Sequence, residues 1–526
     1  LAEGATRRTL TGRDAPPQLG PIVETSHGKV RGHVAGGIHV FRGLRYAAST
    51  GGANRFRPPQ PPEPWTGVRQ GRIAAGGYTA PQIMSPPAPP LAAFAKTEMP
   101  VSEDCLWLNL FTPGVTGRRP VMLWVHGGGY NIESGTAPIY DGTNLARLGD
   151  VVVVTVNHRL GPFGHLYLAD LLGPDYADSG NCGTLDLIAA LQWIRDNIAA
   201  FGGDPGNVTV FGQSGGGGKI AALMVSPLAR GLFHKLIVQS GATLRLGTLD
   251  RSRAAANRAL EVLGLTLATA RQILNLPMER LLAPAPPGQG GPGGALISGG
   301  GPVVDGRVIP RHPFDPDAPE MSAHIPLLIG SNRTEMTLIG AQPAMFALDE
   351  AGLRARLAPQ LGDRLEAAIA AFRANRPKAN PSDLYFEIVT WLRTTRDTLD
   401  VAEMRTARGG APTYLYQFTW PTPVEGGRYR TPHYLELPFV FNNLRGAESL
   451  VGDGPELQPM ADRFGLLWTS FARTGVPSAP HTPAWPAFTA AGHETLMIDV
   501  EPRLVRDPFR RERDAMKGVA AAGPGR

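Results

Sequence analysis

Asn207-Val208-Thr209-Val210-Phe211-Gly212-Gln213-Ser214-Gly215-Gly216 is the stretch on which the fold turns. Its first half is short, apolar and rich in β-branched residues, the pattern of a strand buried on both faces. Gly-x-Ser-x-Gly comes next, and a helical pattern occupies 220–225 and its flanks. A strand that passes through so tight a turn into a helix holds the central serine in a strained backbone conformation. The hydroxyl is exposed at the helix N-terminus, where aligned amide dipoles favour developing negative charge. Gly212 and Gly216 are required because a Cβ at either position would meet the neighbouring strand or helix. Ser214 is therefore the candidate nucleophile.

Working outward, similar apolar runs stand at 121–125, 151–156, 236–238 and 326–329, and helical patterns at 184–200 and 251–263. Their alternation predicts βαβ units, an α/β fold with a large, mostly parallel sheet, and ligands at the carboxyl ends of its strands. Further helices are expected at 353–373, 382–408 and 456–474. Proline and glycine crowd 58–65, 81–100 and 283–302. The last is read as a long surface loop rather than an interdomain linker, because the strand signal resumes at 326. No internal repeat is visible.

The chain has 526 residues, 42% of them hydrophobic and 18% charged, which excludes a coiled coil and a disordered solvating chain. Its 51 Lys+Arg against 45 Asp+Glu leave a formal charge of +6. The surplus is scattered and its densest stretch, 506–517, carries interleaved acids, so no nucleic-acid partner is expected. No apolar run approaches the ~18 residues of a membrane span. Cys105 and Cys182 lie far apart with no CxxC or histidine companion, so neither a metal nor a redox motif is indicated, and two buried free thiols are expected rather than a disulfide. The chain opens at Leu1. Thr6 to Leu10 has a twin-arginine look, but Thr11-Gly12-Arg13-Asp14 stands where an apolar signal core belongs, and whether a signal was removed stays open.

His126-Gly127-Gly128-Gly129-Tyr130 directly follows the strand at 121–125. Acyl transfer puts a full negative charge on oxygen, and residues without side chains let main-chain N–H groups approach it. Gly128, Gly129 and Gly215 could supply a three-donor oxyanion hole. His126 is read as a packing residue rather than a base. Gly218-Lys219 invites a phosphate-loop reading, but Gln213 stands where the first glycine belongs and Ile220 where the magnesium-binding hydroxyl belongs. A serine nucleophile needs a base, and the base an orienting acid. Glu335, after the strand at 326–329, and His433, beyond a strand at 413–418, fall in the required chain order. Each by itself could equally be a surface or capping residue.

Together these residues resemble the type B carboxylesterases, the cholinesterase-like branch of the α/β-hydrolases. The ordered agreement includes Phe41-Arg42-Gly43-Leu44-Arg45-Tyr46-Ala47, Ser102-Glu103-Asp104-Cys105-Leu106-Trp107-Leu108-Asn109, Phe201-Gly202-Gly203-Asp204-Pro205, the elbow and the segment from His433 to Phe441. The resemblance implies an α/β-hydrolase fold with long loop and helical insertions over an active-site gorge. It also implies a Ser214, Glu335, His433 triad, oxyanion donors from Gly128, Gly129 and Gly215, and Ser240 as a partner of the acid. Arg55 with Glu103 and Arg159 with Asp186 resemble the family's structural ion pairs. Family elbows usually read Gly-Glu-Ser-Ala-Gly; here Gln213 and Gly215 replace the acid and the alanine. No tryptophan lies between Trp65 and Trp107, where choline-specific members place one, which favours a neutral ester. Ala80 stands where the family often has a cysteine bridging to the position of Cys105, which favours a cytoplasmic over a secreted location.

The expectation is thus a serine carboxylesterase that acts on a small-molecule ester through an acyl-enzyme, without metal or organic cofactor. One domain is expected over 21–517, between flexible segments at 1–20 and 518–526. Oligomeric state is left open. The same chemistry would serve amides or lactones, and a non-catalytic binding module would keep the fold without needing the nucleophile.

Overall fold

The computed structural model describes residues 18–71, 77–83, 89–91, 99–285, 294–297 and 299–520. The arginine pair near the start, much of the proline-rich 81–100, the centre of the 283–302 loop and the last six residues lie outside the described residues.

Fifteen strands are described: β1 (Gln18–Thr25), β2 (Gly28–Ala35), β3 (Ile38–Arg45), β4 (Val68–Gln70), β5 (Trp107–Thr112), β6 (Arg119–Val125), β7 (Val152–Val156), β8 (Gly203–Gln213), β9 (Lys235–Gln239), β10 (Gly247–Thr248), β11 (Val303–Val304), β12 (Leu327–Asn332), β13 (Thr413–Phe418), β14 (Thr495–Ile498) and β15 (Arg503–Val505). Among the described residues all but β10 and β11 join one sheet, in the order β1-β2-β3-β5-β7-β6-β8-β9-β12-β13-β14-β15, with β4 on the side of β2. From β7 to β14 every neighbour is parallel; the two ends are antiparallel. The sheet is therefore mixed, with a continuous parallel centre and, near one end, a parallel pairing of β4 with β2.

The unbroken apolar runs follow from that centre. In β6, Val121, Leu123 and Val125 join the apolar layer on one face of the sheet. Met122 and Trp124 join the layer on the other. Successive side chains of a strand point to opposite faces, and here both faces are covered, so no polar residue alternates in. Helices Cys182–Asn197 and Gly215–Val225 flank one face, while Leu457–Thr474 packs its Phe464, Leu467, Trp468 and Phe471 on the other.

Insertions after β9 and β12 carry the other long helices described. The helix expected at 353–373 is two, Glu350–Leu361 and Leu365–Asn375, because Gly362 takes a φ of 49° and breaks the first one. The 382–408 pattern is continuous in sequence but passes through a wider turn, Trp391–Thr395, between Pro381–Thr390 and Arg396–Arg408. The segment before β11 reaches the glycine-rich loop: a Cβ on Gly301 would lie 2.6 Å from the Tyr130 ring.

Gln18 and Leu19 pair with Val34 and His33 in β1 and β2. At the other end the Val519 carbonyl accepts a hydrogen bond from Arg396 Nη1 at 2.8 Å. Both cysteines are free and buried, and burial pushes the Cys182 thiol up to about 12. The two ion pairs form as expected. Arg159 donates from Nε and Nη2 to Asp186 at 2.8 and 2.6 Å, fully buried, and Arg55 Nε donates to Glu103 at 2.8 Å. Among the described residues no helix is long and apolar enough to cross a membrane.

Candidate active site

Strand β8 delivers Ser214 to the carboxyl edge of the sheet with φ 56° and ψ −123°. A non-glycine residue at positive φ costs of order 1–3 kcal/mol and persists only where its surroundings over-determine it. Here the Ser214 N–H donates to Gln239 O at 2.8 Å, and the Gly217 N–H donates back to Ser214 O at 2.9 Å. Gly212 and Gly216 both face the end of β6, where a Cβ would come closer than 3.0 Å to Val125 O. The collision predicted for these two glycines is thus with the neighbouring strand. The rest of the glycine run has the same explanation. A Cβ on Gly215 would strike the Gly129 backbone, one on Gly217 the Gly241 backbone, and one on Gly218 the Tyr130 hydroxyl. The helix Gly215–Val225 thereby lies directly against the glycine-rich loop, in which Gly128 and Gly129 have φ of 71° and 60°.

Glu335 and His433, 98 residues apart, meet: His433 Nδ1 lies 2.5 Å from Glu335 Oε2, and both side chains are buried. Glu335 begins a short turn after β12, and its other oxygen accepts the Asn332 N–H at 2.7 Å. Ser240 was expected to hold the acid. Its Oγ is instead buried without a hydrogen bond among the described residues, and the turn folds Glu335 back onto the amide of its own strand end. On the far side of the ring, His433 Nε2 is 2.9 Å from Gln213 Nε2. An amide N–H can only donate, so Nε2 carries the lone pair and Nδ1 the proton that faces Glu335. That is the tautomer of a general base. Gln213, the residue before the serine, thus occupies Nε2, and among the described residues no hydrogen bond joins Ser214 Oγ to His433.

Burial pulls the His433 pKa down, but Glu335, with smaller contributions from Glu436 and Glu133, more than offsets it, and the net direction is upward. Glu436, one turn beyond His433, is buried and accepts from Asn332 Nδ2 at 2.6 Å; burial and the charge of Glu335 raise its own pKa. Glu133 accepts from Tyr140 Oη at 2.8 Å and from Tyr434 Oη. Sequence reasoning passed over Glu436, Tyr434 and Glu133. Glu436 was visible only as part of the segment after His433, and nothing in the chain near Glu133 announces its contacts.

His126 is buried and stacks on His158 at 4.8 Å, in keeping with a packing role. Lys219 is also buried, and its Nζ donates to His126 O at 2.9 Å and Gly127 O at 3.1 Å, an arrangement with no room for a phosphate. Among the described residues no group of three or more His, Cys, Asp or Glu could hold a metal ion.

The model of the carboxylesterase family matches residues 20–516. The chain belongs to the carboxylesterase family. It is 37% identical over 502 residues to the para-nitrobenzyl esterase of Bacillus subtilis strain 168, covering 94% of this chain and 98% of that one. Phenmedipham hydrolase of Pseudarthrobacter oxydans is 34% identical over 507 residues, 93% of this chain and 97% of its own. Among solved structures, a carboxylesterase of Geobacillus stearothermophilus superposes with a TM-score of 0.79 at 38% identity, covering 94% of this chain and 99% of that one. This carboxylesterase therefore has the α/β-hydrolase fold and is a serine-type carboxylic ester hydrolase.

Proposed function

We propose that Ser214, His433 and Glu335 perform this hydrolysis, with Gly128, Gly129 and Gly215 as oxyanion donors and neutral esters as substrates. The observation that carries the reading is the buried imidazole, whose Nδ1 faces Glu335 while its Nε2 lone pair faces the elbow. Nε2 takes the Ser214 proton in exchange for the Gln213 amide as the hydroxyl attacks the ester carbonyl. The negative charge passes to the carbonyl oxygen, where main-chain N–H groups in a water-poor site stabilise it most. Glu335 keeps the ring oriented and stabilises the imidazolium. The imidazolium then gives its proton to the leaving alkoxide, and an acyl-serine remains. Water, deprotonated by the same histidine, releases the acid and restores the serine.

The preference for neutral esters is supported by the amide at position 213, which stands where the family usually has a carboxylate, and by the pairing of Glu133 with two tyrosines. A chain-length panel of p-nitrophenyl esters, with Ser214→Ala as the blank, tests the assignment. Ser214→Ala is expected to lose at least ~10³-fold in kcat and to resist labelling by an organophosphate. Retained activity in that variant would place the nucleophile elsewhere. A matched ester and amide pair, with the amide turned over as fast as the ester, would overturn the substrate class.

A further inference from the structure

Lys219 is a buried group near this centre whose presence the hydrolysis described above does not require. The residue is 2% exposed. Removing an ammonium from water without a counter-ion costs several kcal/mol. Among the described residues it forms no ion pair. Glu133 acts on it only through space, and the carboxylate of Glu133 is engaged by Tyr140 and Tyr434. His126, His158 and His165 are its other titratable neighbours, and all three are held towards the neutral form by burial first and by the Lys219 charge as well. Burial pulls the Lys219 pKa down to about 7, and what holds its Nζ is a pair of main-chain carbonyls, those of His126 and Gly127.

Those carbonyls are not interchangeable with others. In a trans peptide the C=O and N–H point in opposite directions. The Gly127 carbonyl shares its peptide with the Gly128 N–H, so a donor fixed on the oxygen fixes the direction of that N–H. Three consecutive glycines have more backbone freedom than any other tripeptide, and a loop built from them needs an external restraint to hold its amides still. The four glycines before Lys219 allow that restraint, because a Cβ on Gly215, Gly216 or Gly218 would push the helix away from Gly129, Val125 or Tyr130. A donor on a carbonyl also polarises its peptide and strengthens the N–H at the other end, most of all in the protonated form of the lysine.

We propose that Lys219 is a positioning residue for the oxyanion donors: through the His126 and Gly127 carbonyls it clamps the peptide planes of the glycine-rich loop and polarises the Gly128 N–H. The inference rests on the reading of Gly128 and Gly129 as oxyanion donors, and it concerns the transition state rather than substrate binding. Lys219→Met removes both hydrogen bonds, whereas Lys219→Gln keeps an uncharged donor. On p-nitrophenyl butyrate the Met variant is expected to lose about 10- to 100-fold in kcat, with KM within about threefold. It should bind a trifluoromethyl ketone, whose adduct with serine is a tetrahedral oxyanion, more weakly by the same factor as its loss in kcat/KM. The Gln variant should lose less.

A folded Met variant whose kcat and inhibitor affinity stay within about twofold of the parent, or whose whole loss lies in KM, overturns the proposal. If the Met variant does not fold, the same two readouts on the Gln variant decide. There, unchanged inhibitor affinity overturns the proposal, and a fall matched to kcat/KM supports it. Ser214→Ala keeps the two readings apart. If that variant stays active, the site reading itself falls; if it is inactive while Lys219→Met behaves as the parent, only the clamp falls.

Discussion

At the scale of single residues, the site's pH response follows from the charges around one imidazole. Burial alone would lower the His433 pKa, but the adjacent Glu335 reverses the sign. The base must be unprotonated to accept the Ser214 proton, so kcat/KM is expected to fall with acidification through a midpoint above ~6.5, the ordinary histidine value. Glu335→Gln removes the largest raising influence and should bring that midpoint down while lowering kcat. Gln213→Glu works the other way: a carboxylate placed against Nε2 favours the imidazolium and should move the midpoint up by about one unit. A pH–rate profile of each variant measures both shifts, and a midpoint in Gln213→Glu at or below that of the parent would contradict the 2.9 Å contact as a determinant of the base. The proposed nucleophile, acid and base were nameable from the sequence, the serine from its motif between strand and helix and Glu335 and His433 from chain order together with the family resemblance. The partner of Glu335 was not. Whether a carboxylate bonds Ser240 or the Asn332 amide depends on how a three-residue turn closes, and no side-chain pattern encodes that.

At the scale of elements, the junction of β6, β8 and the helix Gly215–Val225 is packed through backbone. The missing Cβ atoms at Gly212 and Gly216 are the space into which Val125 O fits. Gly216→Ala would force strand and helix apart at the nucleophile. It is expected to cost about 1–3 kcal/mol in urea unfolding and to lower kcat far more than a surface change would. Gly206→Ala is the control. It lies in the same strand, but its nearest neighbour to an added Cβ is an Asp204 side-chain oxygen at 3.3 Å, and stability within about 1 kcal/mol of the parent is expected. Equal effects of the two substitutions would show that the elbow tolerates a methyl group. The strands themselves were readable because burial on both faces removes polar residues from them. Helix ends were read less well, because the break at Gly362 and the wide turn at 391–395 are set by backbone geometry inside a continuous helical pattern.

At the scale of the whole molecule, segments far apart in sequence are tied by buried charge. Arg159, after β7, holds Asp186 on the helix Cys182–Asn197 through two side-chain hydrogen bonds, and the Arg159 N–H adds a third to the same carboxylate at 3.0 Å. Arg159→Met leaves a carboxylate buried without its partner and is expected to cost about 3–5 kcal/mol by equilibrium unfolding. Replacing both, as Arg159→Met with Asp186→Leu, should recover most of that loss. A single variant within about 1 kcal/mol of the parent would mean that the pair is solvated in solution.

The sequence by itself determined the family, the sheet-forming runs and the identity of the proposed nucleophile, acid and base, because each leaves a local mark: an apolar run, a glycine at a tight turn, a motif in fixed order. Only the tertiary structure decided what those residues touch. The Gln213 amide on His433 and the Lys219 Nζ on the glycine-rich loop join residues that belong to different strands, helices and loops. Hydrogen bonds act over about 3 Å, and such distances between remote parts of a chain exist only once the sheet has brought its carboxyl edges together.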